Sequence, residues 1–255
     1  MQWLLVTISA VNNFKTLDRI LREQSAGADE VADSFIYDYA RAMAAVEGAV
    51  VVVSDLLHNT SRIFCGQFGR RLGLENYSSE TSIWEKEILS RMSSEECDRK
   101  YLAELRFFHY LSHLPRRQRS ARYLITNLSM ADANGLPVDV THRMYYIYAS
   151  DGITIRYALC VYVAAVFRFA AQSIVVDSNT GNIEELTSCS DSRILGVRQT
   201  QVLSLIERGH TSAEIAELLS ISRHTVSRHR QEILAKLQVK NSIEACRRAK
   251  AMGII

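Results

Sequence analysis

Residues 211–237 read Thr-Ser-Ala-Glu-Ile-Ala-Glu-Leu-Leu-Ser-Ile-Ser-Arg-His-Thr-Val-Ser-Arg-His-Arg-Gln-Glu-Ile-Leu-Ala-Lys-Leu, and their punctuation decides the architecture of the C-terminal region. Thr211 and Glu214 are spaced as a capping box, in which hydroxyl and carboxylate satisfy the orphan N–H groups of a helix start. Ile215, Leu218 and Leu219 predict the buried stripe of that helix. Only Ser220 and Ile221 separate it from Ser222, a favourable N-cap for a helix running to about Leu237. Two helices joined by so short a link make a helix-turn-helix.

Working outward, Val202, Leu203 and Ile206 mark a preceding helix that stops at Gly209, where glycine accepts the left-handed cap conformation. Asn241-Ser242-Ile243-Glu244 opens a fourth helix that ends near Gly253. On a helical wheel, Val226, Ile233 and Leu237 of the third helix share a narrow arc flanked by His229 and Arg230. His224, Ser227, Arg228, Gln231 and Ala235 fall on the far side. A guanidinium, an amide and a hydroxyl beside a small residue can read base edges in a major groove, Arg228 pairing with guanine and Gln231 with adenine.

Charge distribution points the same way. The 255 residues carry a net charge of +2, but from Arg193 onward there are eleven Lys and Arg against five Glu, or +6. The 19 basic and 23 acidic residues before it give −4, so the positive charge gathers where a polyanion would bind.

These residues resemble the LuxR-type, or NarL-type, four-helix DNA-binding domain. The resemblance is carried by Leu195, Arg198, Val202-Leu203, Gly209, Glu214-Ile215-Ala216, Leu219, Ser222, Thr225-Val226, His229, Ile233, Lys236-Leu237 and Val239, about a quarter of the chain. It departs at the opening, where the family has Thr and Glu and this chain has Gly196 and Gln199, a change expected to cost at most about 1 kcal/mol. The resemblance implies that Ser227, Arg228 and Gln231 face the bases and that Arg223, His224, Thr225 and Lys240 meet the DNA backbone. Family members often carry Lys where Ser227 stands. Double-stranded DNA is then the partner, read by a homodimer on half-sites about one helical turn apart, with salt-sensitive affinity. RNA polymerase is a candidate further partner.

Upstream, residues 121–131, 136–149 and 153–165 are rich in Ile, Val, Tyr and Thr, separated by Asn134-Gly135 and Asp151-Gly152. They predict three antiparallel strands in a meander. In the last, Ile153 through Val163 alternate with Thr154 through Tyr162, so one face must cover a core. Gly48–Ser54 predicts an earlier strand, and Ile83–Met92 and Glu96–Leu111 predict helices. This order resembles a PAS-type sensor domain, which implies a small molecule or partner as its signal. The expected fold class is α+β, an antiparallel-sheet PAS-like domain followed by an all-α helix-turn-helix domain. Its bounds are a segment 1–30 with an amphipathic helix, a PAS-like domain 31–187 including an appended hairpin 174–186, a linker 188–192, and the DNA-binding domain 193–255. The stripe Phe14, Leu17, Ile20 and Leu21 fits a dimer interface or packing on its own domain.

Other readings find less support. A phosphoacceptor receiver needs an acidic pair after its first strand. Asp55 follows an apolar strand, but Leu4–Ile8 leads only to Ser9, Val11, Asn12 and Asn13, and Lys100 lies in helical sequence. An acyl-homoserine-lactone domain normally carries an Asp-Pro, and neither Pro115 nor Pro137 follows Asp. His109 and His113 have metal-binding spacing without a third ligand, so packing is favoured. Arg116, Arg117, Arg119 and Arg122 read as a solvated basic loop. Tyr145, Tyr146, Tyr148, Tyr157, Tyr162 and Phe167 are candidates to line a pocket or to serve as core and surface cover. No phosphate loop, activated nucleophile or carboxylate dyad is present, so an enzyme, a cofactor and a metal are not expected. Five scattered cysteines read as reduced thiols. Met1–Val11 lacks a basic leader and no run spans a bilayer, so a cytoplasmic protein without a membrane partner is expected. The rival function is a protein-interaction module whose basic helix-turn-helix binds an acidic protein.

Overall fold

The computed structural model describes residues 14–23, 34–186, 195–237, 239, 241–251 and 254–255. Met1–Val11, Cys189, the expected linker 188–192, Lys240 and Gly253 lie outside them. The chain divides into two units, Met1–Glu185 and Leu186–Ile255.

The N-terminal unit contains helices α1 (14–23), α2 (Ser34–Glu47), α3 (Gln67–Arg71), α4 (Lys86–Leu89), α5 (Ser94–Ser112) and α6 (Arg116–Arg119). Its strands are β1 (Val50–Asp55), β2 (Thr60–Cys65), β3 (Ser79–Glu80), β4 (Arg122–Ala131), β5 (Pro137–Tyr148), β6 (Ile155–Ala164), β7 (Ser173–Asp177) and β8 (Ile183–Glu185). They form one antiparallel sheet in the order β3-β2-β1-β6-β5-β4-β7-β8. Helices α3 to α6 and the short strand β3 lie between the first hairpin and the meander β4-β5-β6. The Ile174–Leu186 hairpin is the far edge of this same sheet, because β7 pairs with β4 from Arg122↔Asp177 to Thr126↔Ser173.

Alternation along β6 led us to expect one covered face; the structure covers both. Tyr157, Leu159 and Val161 pack with Val51, Val53, Ala40 and Ala44 beneath α2. Ala158, Cys160 and Tyr162 point the other way and are equally buried. Small residues on α2 let it lie close to the sheet, and Gly66 completes the approach: a Cβ there would fall 2.2 Å from the Ala44 carbonyl oxygen. Each valine or leucine sequestered this way contributes about 1.5–3 kcal/mol. No simple two-residue pattern in the sequence announces that β1 and β6 are buried on both faces.

The opposite face is covered by α5 and α1. Ser93 caps α5 by accepting from Glu96 N at 3.2 Å, and Ser129 N donates to Glu96 Oε2 at 3.0 Å, tying the helix start to β4. Phe107 stacks on Tyr146 with ring centroids 5.6 Å apart. The α1 stripe is used within this unit. Leu17, Ile20 and Leu21 are buried, Phe14 meets Trp84 and Tyr101, and Trp84 Nε1 donates to Asp18 at 2.6 Å.

The C-terminal unit has helices α7 (Val197–Glu207), α8 (Ser212–Leu218), α9 (Arg223–Leu237) and α10 (Ser242–Ala251). Val202, Leu203, Ile215, Val226, Ile233, Leu237, Ala245 and Ala249 make its core. One expected core residue is displaced: Leu218 is 59% exposed. Helix α8 is only seven residues long, and Ile215 and Ala216 supply its buried side, so Leu218 is left outside. Among the described residues, no helix is long and apolar enough to cross a membrane.

Candidate nucleic-acid interface

The interface is built on the turn between α8 and α9. Thr211 N donates to Glu214 Oε2 at 2.7 Å and Glu214 N to Thr211 Oγ1 at 3.3 Å, the reciprocal box that fixes where α8 starts. The Thr211 N–H, together with the Thr211 hydroxyl that donates to the same Oε2 at 3.0 Å, holds the Glu214 carboxyl below its ordinary range. At the other end Ile221 N donates to the Ala216 carbonyl at 2.9 Å. Ser220 takes a positive φ of 53°, the left-handed conformation that reverses the chain in two residues. Ser222 Oγ then accepts from Thr225 N at 3.0 Å and starts α9.

Three tethers fix α9 from behind. Val226, Ile233 and Leu237 are buried. Arg230 donates to Ser212 Oγ at 2.8 Å and to Ser242 Oγ at 3.0 Å, bracing α9 against the starts of α8 and α10. Gln199, the departure from the family's opening box, holds the third. Its Oε1 accepts from Gly196 N at 3.0 Å and from Lys236 Nζ at 2.8 Å, while its Nε2 donates to Glu232 Oε2 at 2.9 Å. The Gln amide thus keeps half of the capping box and adds two bonds to α9. The same Gln199 bond is the largest influence lowering the Glu232 carboxyl below its usual range, helped by Arg228 and His229.

Outward from this frame, Arg223, His224, Ser227, Arg228 and Gln231 are exposed on α9 and Thr225 is half-buried. The Arg228 guanidinium lies 3.3 Å from Glu232 Oε1 with 66% of its side chain in solvent. It is oriented by a neighbour yet open on its outer side. Thr225 Oγ1 is already engaged with Ser222 Oγ at 2.8 Å. The surface therefore offers the guanidiniums of Arg223 and Arg228, the His224 imidazole, the Gln231 amide and the Ser227 hydroxyl on α9.

Other sequence candidates are placed in structural roles. Asp55 is buried against Arg156 and accepts from His58 N at 2.9 Å. His113 Nδ1 donates to the His109 carbonyl at 2.7 Å, closing the end of α5. Arg119 caps the same end through the Leu114 and Ser112 carbonyls, and Arg122 pairs with Asp177 at 2.6 Å. The aromatics divide between the two sheet faces: Tyr146 and Tyr162 lie toward α5, Tyr145 and Tyr157 toward α2, and Phe167 is 75% exposed. The described cysteines, Cys65, Cys97, Cys160 and Cys246, are free thiols. Sequence spacing missed one group. Glu104, His142 and Cys160 are buried together on the α5 face, with ligand atoms all within 4.8 Å of one another. They stand on a helix and two strands: the β5–β6 register makes His142 and Cys160 neighbours, and the packing of α5 brings Glu104 to them.

Comparison with known proteins agrees with the C-terminal geometry. Residues 193–249 match the model for bacterial regulatory proteins of the luxR family. The uncharacterized response regulatory protein YgeK of Escherichia coli is 39% identical over 80 residues, 31% of this chain and 54% of that protein. The transcriptional regulatory protein DesR of Bacillus subtilis is 44% identical over 64 residues, 25% of this chain and 32% of that protein. The chain thus spans about half, or less, of the length of these curated relatives. Among solved structures, the phage VqmA–DPO complex covers 88% of this chain and 92% of its own at 16% identity, with a TM-score of 0.32. Residues 193–249 are therefore a LuxR-family helix-turn-helix domain, the C-terminal part of a chain whose N-terminal unit is built on an antiparallel sheet.

Proposed function

We propose that the protein is a sequence-specific DNA-binding transcription regulator in which α9 enters the major groove. The observation that carries this reading is the face of α9: Ser227, Arg228 and Gln231 are exposed together while Val226, Ile233, Arg230 and the Gln199 contacts hold the helix from behind. Arg228 is assigned to a guanine edge and Gln231 to an adenine edge, with Ser227 beside them. Arg223, His224 and Thr225, in the first turn of α9, are assigned to phosphates, and so is Lys240 on sequence grounds.

The protein acts as a homodimer, since paired half-sites one helical turn apart require two copies of this domain. The partner surface assigned to the second copy is the outer side of α2. Phe35 is 78% exposed, Tyr39 47% and Val46 87%, and Ala42 is exposed with them. Positions 35, 39, 42 and 46 follow the alternating four-and-three spacing of a helix-pair seam. Asp38 and Arg41 flank it with opposite charges that two copies can exchange. The N-terminal unit senses a small molecule or partner and controls the DNA-binding unit.

A mobility-shift titration of the full chain on genomic fragments tests this. Nanomolar, salt-sensitive binding to a subset of fragments supports it. Equal binding to every fragment, or capture of an acidic protein with no DNA affinity, overturns it.

A further inference from the structure

We propose that Glu104, His142 and Cys160 form a binding site for a divalent transition metal of the zinc class, buried between α5 and the β5–β6 strand pair. The site is a ligand site of the N-terminal unit in its own right and does not depend on the DNA-binding reading.

The geometry begins with strand register. Met144 pairs with Cys160 and His142 with Tyr162, so His142 and Cys160 are diagonal neighbours on one face of adjacent strands. Glu104 comes down from α5 onto that face, its Oε1 4.0 Å from His142 Nε2. All three residues are buried. Zinc takes Cys sulfur at about 2.3 Å and His nitrogen or carboxylate oxygen at about 2.0–2.2 Å, which sets ligands roughly 3.5 Å apart. A trio already within 4.8 Å closes on an ion with shifts of about an ångström.

A second observation is independent of the spacing. His142 is fully buried, stacks on Tyr162 with centroids 4.7 Å apart, and has no hydrogen-bond partner on either ring nitrogen. The hydroxyls of Tyr146 and Tyr162 and Glu85 Oε2 are buried and unpartnered as well. Each such group left unsatisfied costs about 1–3 kcal/mol, so this concentration of them points to a missing polar occupant. Burial, with the Lys100 ammonium nearby, holds the imidazole neutral, the form that donates a lone pair to a metal.

Size and charge narrow the occupant. Beside the trio lies a cavity of about 20 Å³ lined by Glu85, Lys100, Glu104 and Cys160 among others. That holds one water, the fourth ligand of an open site, and is too small for an organic molecule of several atoms. Lys100 pairs with Glu104 at 2.7 Å. Binding the metal releases the Cys160 proton to solvent. A nitrogen, oxygen and sulfur donor set suits zinc, or cobalt as its spectroscopic stand-in, over calcium or magnesium.

The test is titration of the purified full chain with Co²⁺. The expected result is one equivalent bound, with a thiolate-to-cobalt charge-transfer band that Zn²⁺ displaces. Cys160→Ser loses the band and His142→Gln weakens binding at least about tenfold, while Cys65→Ser and Cys97→Ser keep both. X-ray absorption of the zinc-loaded wild type, which needs no variant to fold, should show one sulfur at about 2.3 Å with nitrogen and oxygen ligands at about 2.0–2.2 Å. Absence of stoichiometric binding, a band that survives Cys160→Ser, a shell without sulfur, or an organic molecule found in place of metal in the native protein would overturn the proposal.

Discussion

The side-chain amide of Gln199 donates to Glu232 Oε2 at 2.9 Å, tying the start of α7 to the helix that carries the proposed DNA-reading face. The same amide oxygen accepts from Lys236 Nζ at 2.8 Å, so Gln199 satisfies an anion and a cation on successive turns of α9. A glutamate, the family's residue at this position, can accept from Lys236 but cannot donate to Glu232.

Gln199→Ala should therefore destabilise the C-terminal unit by about 1 kcal/mol, the net worth of a part-buried side-chain hydrogen bond. Gln199→Glu should also destabilise it at neutral pH, by setting two carboxylates against each other, and recover as pH falls toward the carboxylate range. Denaturant unfolding of the full chain at several pH values, followed through a probe on α9, checks both.

In the N-terminal unit the corresponding tie is Asp55 to Arg156, both buried at the β1–β6 pair. Burial pushes the Asp55 carboxyl up, but hydrogen bonds from Arg156 and His58 outweigh it and hold the group below its ordinary 3.8. The unfolded chain then takes up the proton first. The contribution is complete above about pH 3.8 and is lost as pH falls below it. Asp55→Asn should flatten that acid limb and, by leaving Arg156 without its anion, cost about 3 kcal/mol or more at neutral pH. Acid and denaturant titrations by circular dichroism measure the two effects.

Gly66, just past β2, lies against the backbone of Ala44 at the end of α2 and of Gly48 after it. Gly66→Ala puts a methyl against backbone at Ala44 and Gly48, where nothing flexible can yield. A loss of about 1–3 kcal/mol is expected from overpacking, read as a lower thermal midpoint of the N-terminal unit.

Phe35→Glu combined with Val46→Glu should leave folding nearly unchanged, because both side chains are exposed, and convert the proposed homodimer to monomer. Sedimentation at micromolar concentration distinguishes the outcomes. A double variant that remains a dimer would remove α2 as the interface.

Local chemistry made much of the fold legible. Thr211 with Glu214, the Ser220-Ile221 link, Ser222 and Gly209 each specify backbone through groups a few residues apart, and Asn134-Gly135 and Asp151-Gly152 do the same for the meander. Gly209 indeed sits at φ 89° and Gly135 at 78°. What depends on packing between distant elements was not legible. Helix α2 covers the second face of β6, Leu218 is exposed while Ile215 and Ala216 supply the buried side of α8, and Glu104 on α5 meets a His142–Cys160 pair that the register of β5 on β6 makes neighbours. The exposed face of α9 proposed to read bases was legible because one helix wheel contains it. The bonds from Gln199 that position it were not, since the partners are more than thirty residues apart.

The central claim is that Arg228 and Gln231 read bases. Its most direct measurement is selection of bound sequences from random duplex DNA by the wild-type chain and by Arg228→Ala and Gln231→Ala, at fixed salt. The account predicts a two-fold-related motif for the wild type and, for each variant, loss of preference at one base pair per half-site, about 1–3 kcal/mol in discrimination. Both variants should keep the salt-dependent non-specific affinity. An unchanged motif in both variants would contradict it.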